Sequence, residues 1–178
     1  MTTSQIPHTA DAAHRTYHVD MDGLTAAAVT VSDGVTNGTR EDVSGDVLSD
    51  RLESIGLTIT RHVVPDEYDQ IRDLLVTLAA AYPLIVTTGG TGFGPRDVTP
   101  EATSSVIDRP ASGLAEHIRA EGLKHTPMAA LSRGVSGVVG SCLVVNLPGS
   151  PKAVEEGMDA IALLLPHILN LLSGHTEH

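Results

Sequence analysis

The chain has 178 residues and a mass of 18.6 kDa; 41% of it is apolar, and 22 Asp+Glu against 11 Lys+Arg leave a formal charge of −11. That length fits one domain with a sizeable core, and with one Phe, three Tyr and no Trp the core must be aliphatic. So acidic a surface (sequence pI about 5.1) repels nucleic-acid phosphates and anionic lipid, which argues against a nucleic-acid or membrane partner.

The single cysteine, Cys142, excludes an intramolecular disulfide and a multi-cysteine zinc site. The longest apolar run, residues 160–165, is far too short for a membrane span, and residues 1–20 hold no apolar signal segment. The expected location is the cytoplasm.

Residues 1–22 are polar and aperiodic, with His8, His14 and His18 scattered among them, and are expected to form a disordered tail ahead of one domain over 23–175. From residue 25 to 31 a short aliphatic stretch reads as a buried strand running into Ser32-Asp33-Gly34. Residues 44–55 follow as a helix with Val47, Leu48, Leu52 and Ile55 on one face and Gly56 just past its end. Residues 57–64 are the next strand. Asp66 is placed to cap a helix whose buried face carries Ile71, Leu74, Leu75 and Leu78. Residues 84–88 form a third strand, apolar enough to be covered on both faces.

In the second half, Thr99-Pro100-Glu101 reads as a helix start with a hydroxyl cap and proline in the first turn, and residues 113–121 as a further helix. Residues 142–146 are another buried strand. Ser150-Pro151 opens the last helix, whose stripe is Val154, Met158, Ile161, Leu165, Ile168 and Leu172, and Pro166 is expected to kink or divide it. Alternating strands and helices predict an α/β three-layer sandwich around a mainly parallel sheet.

Ligands in such sheets bind beyond the carboxyl ends of the strands. The loop there with the strongest signal is Thr87-Thr88-Gly89-Gly90-Thr91-Gly92-Phe93-Gly94-Pro95-Arg96-Asp97. Its four glycines in six positions allow main-chain amides to converge on an anion. It is not a Walker loop, because Pro95-Arg96 stands where Lys-Ser/Thr is needed, and proline at 95 breaks a dinucleotide fingerprint. Asp66 and Asp97 are candidate Mg²⁺ ligands, since that ion takes one or two protein carboxylates beside phosphate oxygens and water. The plainer readings are a helix cap for Asp66 and a turn residue for Asp97. Ser150 at a helix N-terminus offers an anion site or simply starts the helix. Lys152 offers a local positive charge or is merely a solvated helix lysine, and Mg²⁺ with Lys152 or Arg96 is expected to reverse the acidic field locally. A Gly-x-Ser-x-Gly elbow is missing, Cys142 reads as core packing, and His62, His117, His125 and His167 lack zinc spacing.

The stretch 87–103 together with Ser44-Gly45-Asp46, Val64-Pro65-Asp66-Glu67, Leu131-Ser132-Arg133 and Asn146-Leu147-Pro148-Gly149-Ser150-Pro151-Lys152-Ala153 resembles the molybdenum-cofactor biosynthesis family of Mog and MoaB type. That family includes the G domain of gephyrin, and the resemblance runs from about residue 26 to 172. It implies a trimeric α/β protein that adenylylates molybdopterin with Mg-ATP, releasing pyrophosphate; a later enzyme inserts the metal. By motif match Asp66 and Asp97 take the catalytic and Mg²⁺-binding positions. Ser32, Asp33, Ser44, Gly45, Asp46, Gly89, Gly90, Thr91, Gly92, Ser132, Pro148, Gly149, Ser150 and Lys152 take the substrate-binding positions. The alternative within the family is a non-catalytic MoaB-like oligomer acting by pterin binding or protein contacts. A homotrimer is expected, with a hexamer of two trimers as the larger assembly.

Overall fold

The structure, a computed structural model, describes residues 21 and 23–174, and the histidines of the expected tail lie outside the described residues. The strands β1 (Thr25–Val31), β2 (Thr58–Val64), β3 (Leu84–Thr88), β4 (Arg109–Pro110), β5 (Ser136–Val139) and β6 (Cys142–Leu147) form one sheet in the order β2-β1-β3-β6-β5-β4. β2, β1, β3 and β6 run parallel, whereas β5 pairs antiparallel with both β6 and β4. The connecting helices are α1 (Asp33–Thr36), α2 (Val43–Glu53), α3 (Tyr68–Ala79), α4 (Thr99–Ser104), α5 (Ser112–Leu123), α6 (Pro151–Ile161) and α7 (Leu165–Leu172), with a 3-10 turn at Pro127–Leu131.

Side chains of a strand alternate between the two faces of its sheet, and the three central strands use both. Ala26, Ala28, Leu84, Val86, Leu143, Val145 and Leu147 face a core completed by α2, α5, α6 and α7. Ala27, Val29, Ile85 and Val144 face a second core completed by α3 and α4. The result is the three-layer α/β sandwich that the alternating elements predict. Each fully buried Leu, Ile or Met removes apolar surface worth about 1.5–3 kcal/mol, so the buried stripe Val154, Met158, Ile161, Leu165 and Leu169 firmly fixes α6 and α7 to the sheet. Among the described residues no helix is long and apolar enough to cross a membrane. Met21 is 6% exposed and packs into the first core, so the packed region begins slightly before residue 23.

Three local details differ from the sequence reading, and a fourth decides between two outcomes it left open. Asp66 does not cap α3: the N-cap is Glu67, which makes no side-chain cap bond. Thr99 lies inside α4 rather than capping it, and its hydroxyl donates to the Gly89 carbonyl at 3.0 Å. The last helix is divided, one of the two outcomes expected at Pro166. α6 ends at Ile161 and α7 restarts at Leu165, because Pro166 lacks an N–H and suits the first turn of a new helix. The strands β4 and β5 were not anticipated. Burial does agree with the packing role read for Cys142, whose thiol it pushes up to about 12.

Candidate functional site

Because β1, β2, β3 and β6 are parallel, the loops that follow them share one edge of the sheet. The chain moves outward from β1 to β2 and then crosses to β3 on the other side of β1, so a crevice opens at this reversal of strand order. The Gly-rich turn sits on that crevice. Gly89 has φ +102° and lies so close to β1 that a Cβ would stand 2.2 Å from the Val31 carbonyl oxygen. Gly90 has φ +63°, and a Cβ there would stand 2.3 Å from Thr99 Oγ1. Any other residue would be strained at both positions and would force the turn away from the sheet. The Gly89 N–H donates to the Leu147 carbonyl and the Thr99 N–H to the Gly90 carbonyl, so the turn is bound to β6 and α4.

Three loops bring their acidic groups together over the turn. The Asp33 N–H donates to Asp66 Oδ2 at 2.8 Å, and the Asp66 N–H donates to Asp33 Oδ1 at 3.1 Å. Arg96 closes the group from the Gly-rich loop, with Nε 3.1 Å from Asp33 Oδ2 and Nη1 2.7 Å from Glu67 Oε1. These contacts act oppositely on the two aspartates. The Arg96 hydrogen bond holds Asp33 below its ordinary pKa, whereas burial raises Asp66, helped by the neighbouring charges of Asp33 and Asp97. Asp97 Oδ2 accepts the Gly94 N–H at 2.7 Å, which closes the end of the loop.

Arg133 clasps the same loop. Its Nε donates to the Gly92 carbonyl at 2.6 Å and its Nη2 to the Asp97 carbonyl, while its Nη1 pairs with Glu101. The guanidinium also lies 5.6 Å from the centroid of the Phe93 ring.

Two cavities of about 400 and 390 Å³ flank this turn. The first is mostly apolar, walled by Ile118, Met128, Leu131 and Ala153, and carries Thr91, Gly92, Ser132, Pro148 and Ser150 from the predicted set. The second is polar and carries Ser32, Ser44, Asp66 and Gly89. Gly90, Asp97 and Gly149 line both. Four predicted residues line neither. Asp33 supports Asp66 from behind the wall, and Gly45 is buried against Thr30 and Asp42. Asp46 pairs with Arg61, and Lys152 is exposed with its Nζ 3.7 Å from Glu156. Arg96 also lines neither cavity and is held by Asp33 and Glu67.

The sequence reading passed over Arg40 and Arg119. Arg119 lines the apolar cavity and donates to the Gly134 carbonyl, and Arg40 lines the polar one. Arg40 had a usable signal, since it is the cation between the two predicted loop segments Ser32-Asp33-Gly34 and Ser44-Gly45-Asp46. Asp66 and Asp97 supply oxygen donors to the same polar cavity. Two carboxylates suit Mg²⁺ sharing its shell with phosphate oxygens and water.

Residues 27–168 match the family described as "Probable molybdopterin binding domain". The molybdopterin adenylyltransferase of Helicobacter pylori J99 is 37% identical over 161 residues, spanning 87% of this chain and 91% of that one. The molybdenum cofactor synthesis protein cinnamon of Drosophila melanogaster is 42% identical over 156 residues; the match spans 85% of this chain but only 26% of the fly protein. The molybdopterin biosynthesis enzyme MoaB of Thermus thermophilus superposes with a TM-score of 0.80 at 44% identity, over 85% of this chain and 97% of that one. With its family match, its relatives and its fold in agreement, the chain belongs to the molybdopterin-binding-domain family of Mog and MoaB type.

Proposed function

We propose that the protein acts in molybdenum cofactor biosynthesis as a molybdopterin adenylyltransferase, joining the terminal phosphate of molybdopterin to the AMP moiety of ATP with release of pyrophosphate. The observation that carries this reading is the pair of cavities meeting at Gly90, Asp97 and Gly149. A transfer between two bound substrates needs two adjoining sites with the reacting atoms at their seam. The apolar cavity suits a flat heterocycle, and the polar one suits a polyphosphate.

The chain's own groups supply alignment and charge. Gly90 of the Gly-rich turn and Ser150 at the N-terminal end of α6 border the seam, where main-chain N–H groups would neutralise charge as it builds on the transferring phosphoryl oxygens. Asp66 and Asp97 would hold Mg²⁺, which supplies Lewis-acid charge neutralisation when bound. Asp33 keeps Asp66 in place through the paired main-chain hydrogen bonds, and Arg133 keeps Asp97 in place through the loop. No protein nucleophile is required, because the attacking group is itself a phosphate.

The test is incubation of the full chain with molybdopterin, ATP and Mg²⁺, followed by assay for pyrophosphate and adenylyl-molybdopterin. Pyrophosphate without adenylyl-molybdopterin would refute the acceptor. Neither product from folded protein would favour the second reading, a non-catalytic MoaB-like binding protein.

A further inference from the structure

The polar cavity is an awkward place for a polyphosphate: Glu41, Asp66 and Asp97 line it with three carboxylates. A divalent ion offsets two of them, and the tail of a nucleoside triphosphate adds several negative charges more. The cation that answers this is not one the sequence pointed to. Arg96 is engaged by Asp33 and Glu67, Lys152 by Glu156, and Arg133 by Glu101 and two carbonyls. Arg51, Arg61 and Arg72 are each in ion pairs elsewhere. Among the described residues Arg40 and Arg109 are the arginines with neither an ion pair nor a side-chain hydrogen bond, and of the two only Arg40 lines either cavity.

Local structure presents Arg40 to the cavity. The Gly34 carbonyl accepts the N–H groups of Thr39 and Arg40 and the Thr39 hydroxyl, folding the loop back over α1. The Arg40 side chain then crosses Gly34 so closely that a Cβ on Gly34 would stand 2.7 Å from Arg40 Cδ. The aliphatic stem of this exposed arginine thereby lies against Gly34 beside the cavity that Arg40 lines, and no ion pair or side-chain hydrogen bond takes its charge.

Chemistry decides which phosphates it meets. In an in-line displacement the attacking and leaving oxygens lie on opposite sides of the phosphorus. A nucleophilic phosphate arriving from the apolar cavity forms a new O–P bond to the α-phosphorus at the seam. The bond from that phosphorus to the α–β bridging oxygen breaks, and its electron pair departs with pyrophosphate. The leaving group therefore exits into the polar cavity, on the wall formed by Arg40, Val43 and Ser44.

We propose that Arg40 is the binding residue for the departing pyrophosphate, or the β- and γ-phosphates of the bound triphosphate, through charge-assisted hydrogen bonds from its guanidinium. This rests on the adenylyl-transfer reading for its direction, but not for the existence of a polyphosphate site.

The test measures magnesium pyrophosphate binding to the full chain by calorimetry, beside steady-state turnover with ATP. Arg40→Ala should weaken magnesium pyrophosphate binding about tenfold to a hundredfold, the worth of one or two such bonds. It should lower kcat/KM for ATP comparably and leave molybdopterin affinity unchanged, and Arg40→Lys should recover part of both losses. Arg109→Ala makes the same change in net charge away from the cavities and should bind magnesium pyrophosphate as the wild type does. Wild-type affinity in Arg40→Ala, an equal loss in Arg109→Ala, or no pyrophosphate binding by the wild type would each overturn the assignment. If the wild type forms no adenylyl product yet binds magnesium pyrophosphate in an Arg40-dependent way, adenylyl transfer falls and the polyphosphate site stands.

Discussion

Arg133→Met tests whether the Gly-rich loop is held by one side chain. Methionine keeps an apolar stem near Phe93 but removes the charge and all three side-chain contacts. Two hydrogen bonds from a charged donor to the Gly92 and Asp97 carbonyls are worth about 1.5 kcal/mol each at the lower end, since water can reach this partly exposed loop and replace them. The pair with Glu101, whose side chain is 50% exposed, adds about 0–1 kcal/mol. The main-chain bond from the Arg133 N–H to the Thr91 carbonyl survives. The loop should then open more easily by about 3–4 kcal/mol, so its amides exchange roughly 150- to 850-fold faster. Hydrogen exchange read by mass spectrometry should show this over residues 91–98 and not over β3 and β6. Unchanged protection at 91–98, or a uniform loss across the central strands, would refute the clasp.

Asp97→Asn should retain an acceptor for the Gly94 N–H and keep the fold, yet lose turnover by about 10²-fold or more; wild-type rates would remove Asp97 from the chemistry. Asp66→Asn should melt higher than wild type near neutral pH. Burial raises the Asp66 pKa above its ordinary 3.8, so the cost of ionising it is absent below that value, grows as pH rises towards the raised folded value, and is complete above it. The stabilisation should vanish in acid, and a variant melting lower than wild type at neutral pH would contradict the argument. Finally, Met128 at 63% and Leu131 at 46% exposure offer apolar surface for the expected homotrimer. Sedimentation equilibrium should give three times 18.6 kDa, and a concentration-independent monomer mass would end that expectation.

The parallel half of the fold was legible because its strands are apolar on both faces and its helices carry clear stripes, as at Ile71, Leu75 and Leu78. The antiparallel edge was not. β5 is Ser136-Gly137-Val138-Val139, with two residues of weak strand preference, and β4 is only Arg109-Pro110. Their pairing is secured by contacts distant in sequence: the Ile107 side chain packs against Gly137, where a Cβ would stand 2.5 Å from Ile107 Cγ2, and Asp108 N–H donates to the Val138 carbonyl. The caps misread at Asp66 and Thr99 have a shared cause. Both residues have the right type and place for a cap, but tertiary partners orient their side chains elsewhere: the Asp66 carboxylate accepts the Asp33 N–H, and the Thr99 hydroxyl donates to the Gly89 carbonyl.

The same distinction separates the site residues that could be read from those that could not. Gly89 and Gly90 announce themselves, because the positive φ and close approach they permit are available to glycine at little cost. Cations do not, since the residue type alone does not say whether a charge is already spent. Arg96 stands inside the Gly-rich loop and looks free in sequence, yet Asp33 and Glu67, 63 and 29 residues away, converge on it. Arg40 is marked in sequence only by standing between two predicted loop segments, and it has no such partner among the described residues. An arginine already bound to two carboxylates must break both contacts before it can meet a phosphate, whereas an unpaired one meets it at no such cost. In a protein of charge −11 a cation fit for the proposed polyphosphate site is therefore one that its own acids leave alone and that also lines the polar cavity, and both conditions follow from the fold rather than from nearness to a motif.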